Sequence, residues 1–245
     1  MFGSAAVYCG LVMTFAGLLL IAKPISRIGL GTRRRAVGVV VIGIVTTAAG
    51  AFAPAFETRI THSVTRLDEF APVWQFHEVH TIHIAAPPER VFTAIRQVRA
   101  GEIFLFNTLT WIRRGGRPLP PGILNPGADE PLLDVATRTS FVWLADAAPR
   151  ELVVGTVVAA PRGTRGRLTP GVFKASLPPG FALATMNFFV SPDGSGGSLL
   201  STETRVYANN PVVRRRFAAY WRLIYPGSAL IRRMWLRAIA RRATM

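Results

Sequence analysis

Hydrophobic positions along the chain fall into two regimes. Met1 to Ala22 contains no charged side chain, and Ala5 to Ala22 is an almost unbroken apolar run. Ala36 to Phe56 is a second uncharged run, of 21 residues. Neither run shows a polar face. Each is long enough to cross ~30 Å of hydrocarbon at about 1.5 Å per residue. The pattern predicts two transmembrane helices, spanning about 5–22 and 36–56. Gly10, Gly17, Gly38, Gly43 and Gly50 would let them pack closely. From Glu57 to Gln75 there is no clean periodicity, and this stretch reads as a juxtamembrane connector. Beyond it apolar residues become periodic, and residues 76–245 read as one globular domain.

Within that domain the period switches between two and 3.6. Phe76 to Ile84 is a strand candidate with Val79, Ile82 and Ile84, and Pro88 opens a helix carried by Val91, Ile95 and Val98. A short helix is expected around Glu102 to Trp111, and the Pro/Gly-rich Gly115 to Pro131 is a loop. Leu132 to Arg138 fits helix or strand. Phe141 to Leu144 and Glu151 to Val158 read as strands around a turn at Asp146 to Pro149. Phe181 to Val190 and Leu199 to Tyr207 read as a hairpin around Pro192-Asp193-Gly194. A long helix follows, with Asn210 as N-cap and Pro211 in its first turn; Pro226-Gly227 is expected to kink or break it. The order is α+β: an antiparallel sheet that must cover one apolar face with the last helix.

Charge sharpens the picture. The chain of 245 residues carries 29 Lys and Arg against 13 acids, a formal net charge of +16. With half the residues hydrophobic, wholesale disorder is excluded. One cysteine, Cys9, excludes a disulfide scaffold and a cysteine zinc site. The link between the two apolar runs holds Lys23, Arg27, Arg33, Arg34 and Arg35 and no acid. By the positive-inside rule it is cytoplasmic, which puts the domain outside a bacterial inner membrane. A cleaved signal fits less well: the first run lacks a basic leading region, and Pro54 follows Ala51-Phe52-Ala53. Nine arginines lie between Arg214 and Arg242 with no acid among them. They read either as a solvated helix back or as a surface for anionic headgroups. No nucleic-acid-reading motif accompanies them, so no nucleic acid partner is expected.

Four strings resemble the helix-grip fold of the START-like (SRPBCC) superfamily, which includes polyketide cyclases and lipid-transfer domains. They are His80 to Ile95 (HTIHIAAPPERVFTAI), Phe141 to Val158 (FVWLADAAPRELVVGTVV), Phe181 to Ala208 (FALATMNFFVSPDGSGGSLLSTETRVYA) and Arg216 to Ala243 (RFAAYWRLIYPGSALIRRMWLRAIARRA). Together they cover most of Phe76 to Ala243. The resemblance implies a curved sheet wrapped on the C-terminal helix, with a hydrophobic small molecule or lipid held between them. On that expectation Trp221 and Tyr225 of the helix and Phe141, Trp143 and Phe189 of the sheet line the cavity. One or two of Arg138, Asn187, Glu203 and Arg205 hold the ligand's polar end. The bland alternative for Glu203 is an ion pair with Arg205 or Arg150.

Candidate chemistry is thin. His77, His80 and His83 would share a face on a helix, but on a strand His80 faces away from the other two, so no metal site is expected. No G-x-S-x-G string and no phosphate-binding loop occurs, and no catalytic set or cofactor can be named. The expected function is a membrane-anchored domain that binds a hydrophobic or amphipathic small molecule. The alternatives are a cyclase- or hydrolase-type enzyme on the same fold and an interaction module with a filled core.

Overall fold

The computed structural model describes residues 2–23, 32–127, 129–164 and 167–245; Arg27 of the basic link lies outside them. In chain order the elements are α1 (Phe2–Ala22), α2 (Arg33–Phe52), β1 (Thr58–Arg59), α3 (Leu67–Phe70), β2 (Val73–Trp74), β3 (Phe76–Ile84), α4 (Pro88–Gln97), α5 (Phe106–Arg113), α6 (Leu132–Thr139), β4 (Val142–Ala147), β5 (Glu151–Ala159), β6 (Ala182–Pro192), β7 (Ser198–Ala208) and α7 (Pro211–Thr244). They form two units: residues 1–55 with 215–225, and residues 56–214 with 226–245.

In the first unit α1 and α2 are each long and apolar enough to cross a membrane. Small residues set their packing. A Cβ on Gly10 would lie 2.4 Å from Thr47 Oγ1 and 2.6 Å from the Gly43 carbonyl. On Gly43 it would lie 2.6 Å from the Thr14 amide. The two backbones therefore touch, as small residues allow in membrane helix pairs. The hydroxyls at this seam turn inward: Thr14 donates to Gly10 O and Thr47 to Gly43 O, each at 2.8 Å. Val12, Phe15, Ile42 and Val45 face outward. The second helix starts three residues before the expected span, at a Thr32 N-cap, and stops at Phe52. Pro54 explains the stop, because it drives Ala53 out of the helical region to φ −53°, ψ 147°.

The second unit is built on a five-stranded antiparallel sheet in the order β3-β7-β6-β5-β4. Alternation divides its side chains between two faces. On the inner face Leu152, Val154, Met186, Phe188, Val190 and Leu200 pack against α4, α6 and the last turns of α7. Trp235, 2% exposed, meets Phe188 edge-on at 5.0 Å between centroids. This side holds Trp235, Phe188, Ile95, Leu132, Leu133 and Ile239, among the largest fully buried side chains described. The outer face carries a smaller cluster, in which Val153 and Leu144 pack with Leu67 and Phe70 of α3 and with Phe173 of a short turn at Pro170–Phe173.

Two expectations change. The connector is not featureless: β1 pairs with β2, and α3 lies between them in sequence. The helix α7 runs through Pro226 and Gly227 without interruption. Pro226 deprives only the Arg222 carbonyl of its i+4 donor, a local loss within a helix of 34 residues. Leu132 to Arg138, open between helix and strand, is helical as α6.

Candidate functional site

The outer face of the sheet holds the second unit's most connected polar groups. Glu151, 2% exposed, is the key to α3. Its carboxylate accepts from the Arg66 amide at 2.7 Å and the Leu67 amide at 3.2 Å, satisfying donors that a helix start leaves free. Asn187 Nδ2 donates to the same carboxylate at 2.7 Å, and Asn187 Oδ1 accepts from the Glu203 amide at 3.0 Å.

Beside it, Asp68 accepts from the Val64 and Thr65 amides at 2.7 and 2.8 Å and from Arg205 Nη1 at 2.7 Å. Burial alone would raise the Asp68 carboxyl, but these donors outweigh it and hold it below its ordinary value. Arg205 also donates from Nη1 to the Ala71 carbonyl at 3.0 Å and from Nε to Glu203 Oε1 at 2.5 Å. Its guanidinium lies 4.2 Å from the centre of the Trp74 ring. Glu203 likewise sits below its ordinary value: burial pushes it up, while hydrogen bonds from His77 and Arg205 pull it down further.

Next to this lattice is a cavity of about 600 Å³. Leu183, Thr185, Arg205 and Tyr207 line it from the outer sheet face. Residues 70–73 close one side and residues 173–177 another. Asn209 fixes part of the rim, accepting from the Gly180 and Phe181 amides at 3.0 and 2.9 Å and donating to the Leu177 and Pro178 carbonyls at 3.1 and 2.8 Å. Three cations line the cavity, Arg59, Lys174 and Arg205, together with Phe70, Phe173 and Phe181. The lining residues include no carboxylate, histidine or cysteine. Ser176 is among them, and no hydrogen bond joins it to another side chain of the lining. The arrangement is suited to holding an apolar body with an anionic end.

The residues singled out from sequence scatter around this site. Only Arg205 lines the cavity. Asn187, Phe189 and Glu203 share its sheet face, but that face is turned away from α7, not toward it as expected. Alternation puts them opposite Phe188 and Thr204. Asn187 and Glu203 are committed to the lattice, and Phe189 packs under the Arg150 guanidinium at 5.3 Å. Phe141 and Trp143 lie on the inner, helix-covered side, half-buried against the core. Arg138 is exposed and pairs with Glu130. Trp221 and Tyr225 belong to the first unit, where their rings are 6.1 Å apart. The histidines do alternate in face. His77 Nε2 meets Glu203 at 2.8 Å, and His80 Nε2 meets the buried Glu78 at 2.8 Å on the other side. Glu78 also accepts from Ser228 of α7 at 3.0 Å.

Arg59, Lys174 and Thr185 were not anticipated. Arg59 lies in the connector and Lys174 in a loop, neither with a periodic signal. The only clue was that Lys174 is one of two lysines in the chain.

No protein-family model and no curated protein matches the chain. Among solved structures, the crystal structure of TTHA0849 from Thermus thermophilus is similar at a TM-score of 0.29 and 11% sequence identity. The match covers 69% of this chain and 97% of that one.

Proposed function

We propose that this chain is a membrane-anchored binding protein whose START-like domain holds a small anionic amphiphile, such as a fatty acid or a lipid fragment, in the outer-face cavity. In this reading α1 and α2 anchor the chain in a bacterial inner membrane, and the basic link between them stays in the cytoplasm. The four strings resembling the helix-grip fold support the domain's type. The observation that carries the ligand class is the lining: three phenylalanines around about 600 Å³, with Arg59 and the half-exposed Lys174, 3.8 Å from Glu69, as cations at the wall, Arg205 already paired with Asp68 and Glu203, and no acidic side chain in the lining itself. Such a wall welcomes a hydrocarbon body and a negative end, and it repels a positive one.

Native mass spectrometry of the full chain in mild detergent tests this, with dodecanoate and dodecylammonium as probes. Dodecanoate is expected to give a 1:1 adduct that Leu183→Trp, which fills the cavity, abolishes. Lys174→Glu, at a more exposed position, should weaken the adduct by about tenfold, equivalent to ~1.4 kcal/mol. Equal adducts with the two probes, or a dodecanoate adduct unaffected by both substitutions, would sink the reading.

A further inference from the structure

The segment 215–225 of α7 belongs to the same unit as the two apolar helices, and its contacts place it at one end of them. Arg222, 7% exposed, sends its guanidinium into the C-terminal end of α2. Nη1 donates to the Ala51 carbonyl at 2.7 Å, and Nη2 donates to those of Ala53 and Pro54 at 2.7 and 3.3 Å. These are carbonyls that a helix terminus leaves without backbone donors. The first helix joins from its N-terminal end: Tyr8 donates to the Leu223 carbonyl at 2.5 Å, and Gly3 leaves room for the Arg222 side chain, which a Cβ would meet at 2.4 Å.

The opposite face of this segment is exposed and apolar. Arg216, Tyr220 and Leu223 fall at i, i+4 and i+7 and share one side of the helix. Tyr220 is 40% exposed and Leu223 52%, whereas Phe217, Ala218 and Arg222 are buried. From Phe217 to Ile231 the sequence carries one charge, Arg222, and that charge is spent on α2 carbonyls. A water-facing helix back would carry polar groups here. The segment is instead held against the ends of α1 and α2 by Arg222 and Tyr8, and its exposed side runs into the exposed Arg215 and Arg216.

We propose that residues 215–225 make a third contact with the bilayer that α1 and α2 span, at its headgroup boundary. Tyr220 and Leu223 enter the upper acyl region, and Arg215 and Arg216 meet lipid phosphate. Aromatic side chains at that depth, flanked by arginine, match the belt at which membrane helices leave hydrocarbon. The proposal rests on the reading that α1 and α2 cross the membrane.

The test uses the full chain in a Cys9→Ser background, reconstituted in vesicles of phosphatidylcholine and phosphatidylglycerol. Single cysteines carry a nitroxide at Leu223, at Ile44 on the outward flank of α2, and at Ser195 in the β6–β7 turn. Collision with oxygen against a water-soluble nickel chelate reads depth. The expected order of oxygen preference is Ile44, then Leu223, then Ser195, with Tyr220→Cys reproducing the Leu223 result as an independent site. A Leu223 label as water-accessible as Ser195, with Ile44 in lipid, overturns this inference alone. An Ile44 label that is itself in water overturns the spanning reading, and this inference with it.

Discussion

Arg205 and Asp68 form an ion pair of 2.7 Å with both side chains less than a tenth exposed, joining a strand of the sheet to a helix 137 residues earlier. Breaking such a pair from one side would cost about 3–5 kcal/mol if the other charge were left uncompensated; Arg205 keeps Glu203 as a second counter-charge, so about 1–3 kcal/mol is expected. Asp68→Ala is expected to lower the unfolding free energy of the full chain by that order, read by denaturant titration in mild detergent. A change below about 1 kcal/mol would mean that water replaces Asp68 freely at Arg205.

The same carboxylate sets an acid limit. Asp68 and Glu203 are both held below their ordinary values of 3.8 and 4.5, so the folded state binds their protons less readily than the unfolded chain does. Their stabilisation is complete above those ordinary values and is lost as pH falls through the depressed ones. Melting temperature should therefore drop as pH is taken from 5 toward 2. The drop should be smaller in Asp68→Asn, which no longer has that proton to bind. An equal acid sensitivity in the variant would contradict the assignment.

Glu151 organises the connector by accepting only. Glu151→Gln keeps the shape but turns an amide donor toward the Arg66 and Leu67 N–H groups or toward Asn187. A buried donor left without a partner costs about 1–3 kcal/mol. Hydrogen exchange at Leu67 and Phe70 is expected to accelerate well before exchange in β6 does. Unchanged protection of α3 would show that apolar packing alone holds it.

Gly10 and Gly38 make a matched pair in the apolar helices. A methyl at Gly10 collides with Thr47 and the Gly43 backbone, whereas at Gly38 it meets nothing within 4 Å. Gly10→Ala is expected to destabilise the helix pair by about 1–3 kcal/mol, the usual range for overpacking. Gly38→Ala should be neutral or stabilising by up to about 1 kcal/mol. Unfolding of the full chain by sodium dodecyl sulfate in mixed micelles separates the two. Equal midpoints would remove the close approach.

Some periodic segments were legible to the residue: β3 spans Phe76–Ile84 as expected, and α4 starts at Pro88, whereas α2 and α5 are shifted by three or four residues at an end. Alternation puts Glu203, Arg205 and Tyr207 on one face, as the structure has them. It could not say which face α7 covers, because a period of two fixes relations along a strand and leaves the sheet's outer partner open. That choice is made by Met186, Phe188 and Leu200 meeting Trp235 and Ile239, contacts between distant parts of the chain. The connector was illegible for a related reason. A helix of four residues has no measurable period, and what orders Leu67 is a carboxylate 84 residues downstream. Arg59 and Lys174 converge on the cavity only once that connector is in place.

The lattice around Asp68 and Glu151 also decides where the chain can be cut. Residues 57–75 look like spacer, yet they supply one of the two counter-charges of Arg205, the backbone amides that Glu151 accepts from, and one side of the cavity. A shortened form beginning at Phe76 would leave Arg205 with only Glu203 and Glu151 with only Asn187 of the partners described above, on a bared sheet face. One beginning at Glu57 keeps both satisfied. The tether to the apolar helices is thus not a passive leash: the first residues after α2 are part of the receptacle itself.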